Sequence, residues 1–186
     1  MRLSSILLCF ATAVSLASIH GCGSTPSEMS ASDKAELDSM SRSAIADFKK
    51  ADPAMEKFFT TAYGYAIFPN VTTGAVVVGG AHGEGEVFQN GKLTGYADVS
   101  KANVGAQIGG QSYQQIVFFQ NEGSYAAFTN GTYELDAKAS AVAASEGASS
   151  SADYQKGVLV FTRSISGLMV QAAVGGQKFR FRPLPK

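Results

Sequence analysis

His82, Glu84 and Glu86 come nearest to a chemical constellation, because one imidazole and two carboxylates recur at every second residue. Alternate positions on a strand project to one face, so the three would stand in a row. A divalent metal accepts that donor set. Successive members are about 6.5–7 Å apart along a strand, so one ion would need further ligands from elsewhere. The plainer expectation is a solvated polar face, with Gly83, Gly85 and Val87 turned inward. The trio stands as a metal candidate only, and no cofactor is expected.

Other catalytic constellations fail on residue supply. The chain has two histidines, His20 and His82, and His20 falls in a leader. A Ser-His-Asp arrangement would have to use His82, and no G-x-S-x-G elbow occurs. Ser164, Ser166 and Gly167 read as a small-residue bend between strands. Residues 85–93 (GEVFQNGKL) place five residues between glycines where a phosphate loop needs four, and Leu93 stands where Ser or Thr is required. Glu84 and Glu86 have the right groups for acid and base, but no substrate cleft is readable. The expectation is a protein without enzymatic activity.

Cys22 carries a different chemistry. Met1 and Arg2 form a short positive region, and residues 3–16 are an apolar run of signal-peptide length. Residues 17–22 (ASIHGC) then resemble a bacterial lipobox, with Ile19 and Gly21 at the expected places. This implies cleavage after residue 21 and acylation of Cys22 with palmitate-type chains; an ordinary signal peptide cut nearby, or an uncleaved anchor, is the alternative. Residues 22–31 read as a lipidated tether, small and polar, with a reach of about 15–20 Å. Gly23 occupies the place where an aspartate would favour inner-membrane retention in Gram-negative sorting, so the expected location is the outer membrane, facing the periplasm.

Two basic-aromatic clusters offer surfaces for anionic headgroups. Lys49, Lys50 and Lys57 lie beside Phe58 and Phe59. Lys178, Arg180 and Arg182 alternate with Phe179 and Phe181 and so share a strand face, either as a charged edge strand or as a headgroup patch. Over the whole chain 15 basic and 15 acidic residues cancel, which speaks against a nucleic-acid partner.

The elements that must position these residues fall into two blocks. From Ser32, a candidate cap, apolar residues recur at helical spacing (Leu37, Met40, Ala44, Ile45, Phe48, Ala51). Asp52-Pro53 ends that helix and opens a second reaching about Ala62. Residues 63–186 then change to a strand period. Strands are expected at 65–68 and 75–78 around a turn at 70–73. Others are expected at 84–89 and 92–99 around the hairpin turn Asn90-Gly91, and at 104–111 and 113–120. Residues 125–129 and 133–138 read as strands around Asn130-Gly131. A small-residue stretch (139–153) and strands at 158–163, 168–174 and 178–182 complete the series. The fold class is α+β and mainly β: amphipathic helices over 32–62, then an antiparallel curved sheet, closed or half-closed into a barrel or sandwich.

The ordered set of motifs resembles the SYLF family. It comprises Pro53, then Ala62-x-Gly64-x-Ala66-Ile67-Phe68-Pro69, the glycine-bounded run 74–80, Gly83-x-Gly85 and Asn90-Gly91-Lys92. Gly105-Ala106-Gln107-Ile108-Gly109, Ile116-Val117-Phe118 and Ser164-x-Ser166-Gly167-Leu168 follow. Together they cover about 52–181. The eukaryotic tryptophan-serine-x-proline segment is replaced by Leu93-Thr94-Gly95-Tyr96-Ala97. The resemblance implies a single domain over 32–186 and phospholipid binding, with actin binding in some eukaryotic members. It also implies membrane contact by the helix around Lys57 and Phe58. The expected function is a membrane-anchored lipoprotein that binds phospholipid at the membrane surface. The alternative is a structural or protein-interaction module of the cell envelope.

Overall fold

The computed structural model describes residues 29–73, 80–102, 111–137, 139, 141–165 and 174–185. The leader, Cys22, most of the tether and the strands expected at 75–78, 104–111 and 168–174 fall wholly or largely outside them. Helix α1 spans Ala31–Ala51 and starts two residues earlier than expected. Its cap is Ser30, whose hydroxyl accepts from the Asp33 N–H at 3.2 Å, while the Asp33 carboxylate accepts from the Ser30 N–H. Asp52 ends it with an extended backbone (φ −147°) and caps a 3-10 turn, Pro53–Met55, that leads into α2 (Glu56–Thr61).

Strand β1 (Gly64–Thr73) runs straight through the turn expected at 70–73. The register shifts there against both neighbours, so Pro69, which has no N–H to give, sits where the ladder is already interrupted. Strands β2 (Gly80–Gln89) and β3 (Lys92–Ala102) are joined by Asn90 and Gly91, with φ of 48° and 75°. Two consecutive left-handed residues make the hairpin turn that the Asn-Gly pair announces. Strand β4 (Gln111–Phe119) follows.

Residues 125–129, expected as a strand, instead belong to helix α3 (Glu122–Thr129). Asn121 caps it by accepting from the Ser124 N–H at 3.0 Å, and this local box outweighs the β propensity of Tyr125 and Phe128. Of the next expected strand, 133–138, only Tyr133 and Glu134 fall in β5 (Thr132–Glu134). Val142–Ala143 is β6, Ala148–Ser151 a 3-10 turn, Val158–Ser164 β7 and Lys178–Pro183 β8.

Among the described residues these strands make one curled eight-stranded sheet, a half-barrel, in the order β5-β8-β3-β2-β1-β4-β7-β6. All pairings are antiparallel except β6 with β7, so the sheet is mixed. Each sheet face has its own core. One face packs Ile67, Ile116, Phe118, Leu159 and Phe161 against Ala44 and Phe48 of α1, Met55 and Phe58. The opposite face gathers Phe68, Val71, Val87, Val99, Val117, Phe119, Val160 and Phe179 around Tyr125 and Phe128 of α3. Burial of a large apolar side chain contributes roughly 1.5–3 kcal/mol, so the two layers fix the helices that carry the candidate surfaces. The second layer needs glycine: a Cβ on Gly85 would collide with the Phe68 ring and the Ile67 carbonyl on β1.

Candidate functional site

The corner between α1 and α2 is built around Asp52, which is 1% exposed. Its carboxylate accepts from the Ala54 N–H at 3.1 Å and from the Ser149 N–H at 2.7 Å. Burial alone would raise this carboxyl, but the hydrogen bonds from Ser149, Ala54 and Gly147 outweigh it and hold the carboxyl below the usual range. Lys57 Nζ donates to the Ser149 carbonyl at 3.0 Å, so the 3-10 turn at 148–151 is tied to the corner from both sides.

Around this clamp the basic-aromatic residues separate by role. Phe58 is a core residue, with its ring centroid 5.6 Å from Phe118 and 5.5 Å from Phe161, so it is not at the surface. Phe59 is half-buried and meets Tyr65 and Phe118 edge-on. Lys49 Nζ lies 4.7 Å from the Phe59 ring centre and pairs with Glu56 at 2.9 Å. Lys50 and Lys57 are exposed, and among the described residues neither has a carboxylate partner.

The second cluster is placed differently. β8 is not an edge strand, because β5 pairs along its outer side. Lys178, Arg180 and Arg182 do share one face, but every charge on it is answered. Lys178 meets Glu134 at 3.7 Å, Arg180 meets Asp98 at 2.8 Å, and Arg182 meets Asp98 at 2.8 Å and Glu84 at 3.4 Å. The carboxylates come from β5 and β3, which flank β8, and from β2, one strand further along the sheet.

The β2 row divides as well. Gly83, Gly85 and Val87 point inward as expected, and His82 and Glu84 are exposed. Glu86 is not part of a solvated face: it is 1% exposed, because α1 lies across it. Burial, and secondarily Asp38, push its carboxyl above the usual range, against the opposing influence of Ser41 and Arg42. Glu84 is engaged with Arg182, so the trio does not converge. Among the described residues no group of three or more His, Cys, Asp and Glu side chains is arranged to hold a metal ion.

A polar cluster that the sequence did not announce sits inside the half-barrel. Gln115 and Gln177, both fully buried, exchange amide hydrogen bonds at 2.8 and 3.0 Å, and Gln177 Nε2 also donates to the Tyr113 hydroxyl at 3.0 Å. Burial pushes the Tyr113 phenol up to about 12. The local sequence around Gln115 gave no hint, since its partner lies 62 residues away. Cys22 lies outside the described residues, and among those described no helix is long and apolar enough to cross a membrane.

Comparison with known proteins bears on what such surfaces serve. The Ysc84 family model, described as a Las17-binding protein actin regulator, matches residues 100–183. Beta cell expansion factor A of Aeromonas veronii is 28% identical over 145 residues, covering 77% of this chain and 55% of the relative. The chain thus spans about half the length of that curated relative.

Proposed function

We propose, from the match of residues 100–183 to the Ysc84 family model and the similarity to Beta cell expansion factor A, which suggest a lipid- or protein-interaction module, that the chain is a non-enzymatic, membrane-anchored lipoprotein that binds phospholipid. Cys22 holds it to the outer membrane, and the α1–α2 corner meets the headgroups. One observation carries the choice of surface. Lys50 and Lys57 project without carboxylate partners beside Lys49 and the half-buried Phe59, whereas the β8 cations are neutralised in place. Phosphate oxygens would supply the missing acceptors at the corner, and burial of Phe59 would add an apolar term. The acyl chains would provide the standing attachment, since each buried CH₂ contributes about 0.8 kcal/mol.

The test is flotation of the chain from Gly23 onward, which has neither leader nor Cys22. It should rise with vesicles rich in phosphatidylglycerol at low salt, less so at high salt, and not with pure phosphatidylcholine. Absence from the anionic vesicle fraction at low salt overturns lipid binding. A second reading is a protein-interaction module anchored in the envelope; it is favoured by the protein-binding description of the matched family. That reading expects no flotation and a cross-linked envelope protein.

A further inference from the structure

The two halves of α1 rest on different ground. The C-terminal half sets Ala44 and Phe48 into the apolar layer with Phe118, Leu159 and Phe161. The N-terminal half, apart from the buried Leu37, lies over polar side chains of β2 and β3, and Met29 just before it meets β8. Lys34 Nζ stands 5.8 Å from the Tyr96 ring centre, and Arg182 Nη2 reaches the Met29 sulfur at 3.5 Å. Under this half lies Glu86, whose Oε2 has no hydrogen-bond partner among the described residues, beside the equally buried Ser41 hydroxyl.

Among the described residues no cation forms an ion pair with Glu86. Arg42 is the nearest on α1, but its side chain is 77% exposed and bound to Asp38 through both Nε and Nη2. Asp38 adds a like charge from the same helix. From the sheet Glu86 faces Tyr65 on β1 and Tyr96 on β3, both neutral phenols whose pKa is raised by burial and then by Glu86. Glu84, further along β2, is held by Arg182. A buried carboxylate without a counterion is costly, and the same carboxyl with its proton is not.

We propose that Glu86 is a proton-sensitive latch for the N-terminal half of α1, seating the helix when protonated and loosening it when charged. Undocking would return the carboxylate to water, so the docked state binds the proton more tightly than the undocked one. Docking strength is therefore full below the ordinary glutamate range, near 4.3. It falls as pH rises through the elevated pKa of the docked carboxyl. The device is independent of lipid binding and requires only α1, β2 and their contact.

Amide hydrogen exchange of the full chain between pH 4.5 and 7.5, corrected for intrinsic chemistry, tests it. The opening constant of residues 34–41 should rise with pH, by up to about tenfold for each unit by which the docked carboxyl is raised. Residues 44–51, seated on the apolar layer, should not follow. Glu86→Gln should flatten the pH dependence and keep residues 34–41 protected at pH 7.5. Asp38→Asn, on the exposed side of the helix, should shrink the rise by removing a charge that holds the proton on Glu86. A pH-independent opening in the native chain overturns the latch. So does a rise that survives Glu86→Gln, or one shared equally by residues 44–51.

Discussion

Lys50 and Arg180 are both exposed cations on this molecule, yet they stand in opposite electrostatic positions. Arg180 shares the Asp98 carboxylate with Arg182, so an approaching phosphate would have to compete with a pair already made. Among the described residues Lys50 has no ion pair to surrender, and Lys57 gives up a hydrogen bond to a neutral carbonyl and its place 4.8 Å from the Phe58 ring centre. The double change Lys50→Glu and Lys57→Glu should therefore abolish flotation with anionic vesicles, while Arg180→Gln should leave it nearly intact. Equal losses in the two variants would move the lipid surface away from the corner. Gly85 makes the residue-scale point about shape. Its hydrogen atom leaves room for the Phe68 ring from the neighbouring strand. Gly85→Ala should cost about 1–3 kcal/mol by overpacking, read as a drop in thermal midpoint of about 2–4 °C for each kcal/mol.

At the scale of elements, the junction of α1 with the following 3-10 turn rests on one carboxylate that serves two masters. Asp52 caps the turn beginning at Pro53 and also accepts the Ser149 N–H from 97 residues away. Its lowered pKa means that the folded chain binds this proton less tightly than the unfolded one. The stability it supplies is present in full above the unfolded carboxyl value, near 3.9. It is lost as pH falls through the depressed value. Asp52→Asn should lower stability at pH 7 by about 0.5–2 kcal/mol, the range of a lost cap, and weaken the acid dependence of urea midpoints between pH 5 and 2. Glu86 contributes with the opposite sign, losing stability as pH rises. The two carboxyls can therefore be told apart by measuring each variant both in the acid range, where Asp52 acts, and from there up to neutrality, where Glu86 acts. Helix α3 shows how an element can be missed: its Asn121 to Ser124 box is a legible start signal, but Tyr125 and Phe128 read equally well as strand residues.

For the whole molecule, closure of the half-barrel brings Gln177, just before β8, onto β4. The Gln115–Gln177–Tyr113 cluster is fully buried, so removing one partner strands the others without water. Gln177→Leu should cost about 1–3 kcal/mol for each polar group left unpaired. Gln115→Leu together with Gln177→Leu should cost less than the sum of the single changes, with a coupling of about 0.5–3 kcal/mol in a double-mutant cycle from urea midpoints. Additive losses would mean that the two amides do not act as a pair.

The sequence by itself determined what depends on neighbours a few positions apart. Asp52-Pro53 marked the break between helices, Asn90-Gly91 marked a hairpin, and the alternation of β2 put Gly83, Gly85 and Val87 inward. The ordered motifs also pointed to the family resemblance and to the mainly β, half-closed architecture. Only the tertiary structure decided what those faces meet. The same alternation that grouped Glu86 with His82 and Glu84 could not reveal that α1 would cover one of the three. The alternation in β8 could not reveal that Glu134, Asp98 and Glu84 would neutralise its cations, the last from 98 residues away. Periodicity reports which side of a strand a residue occupies. Burial and charge pairing are set by whichever element the chain folds back onto that side, and this is decided by packing over the whole molecule.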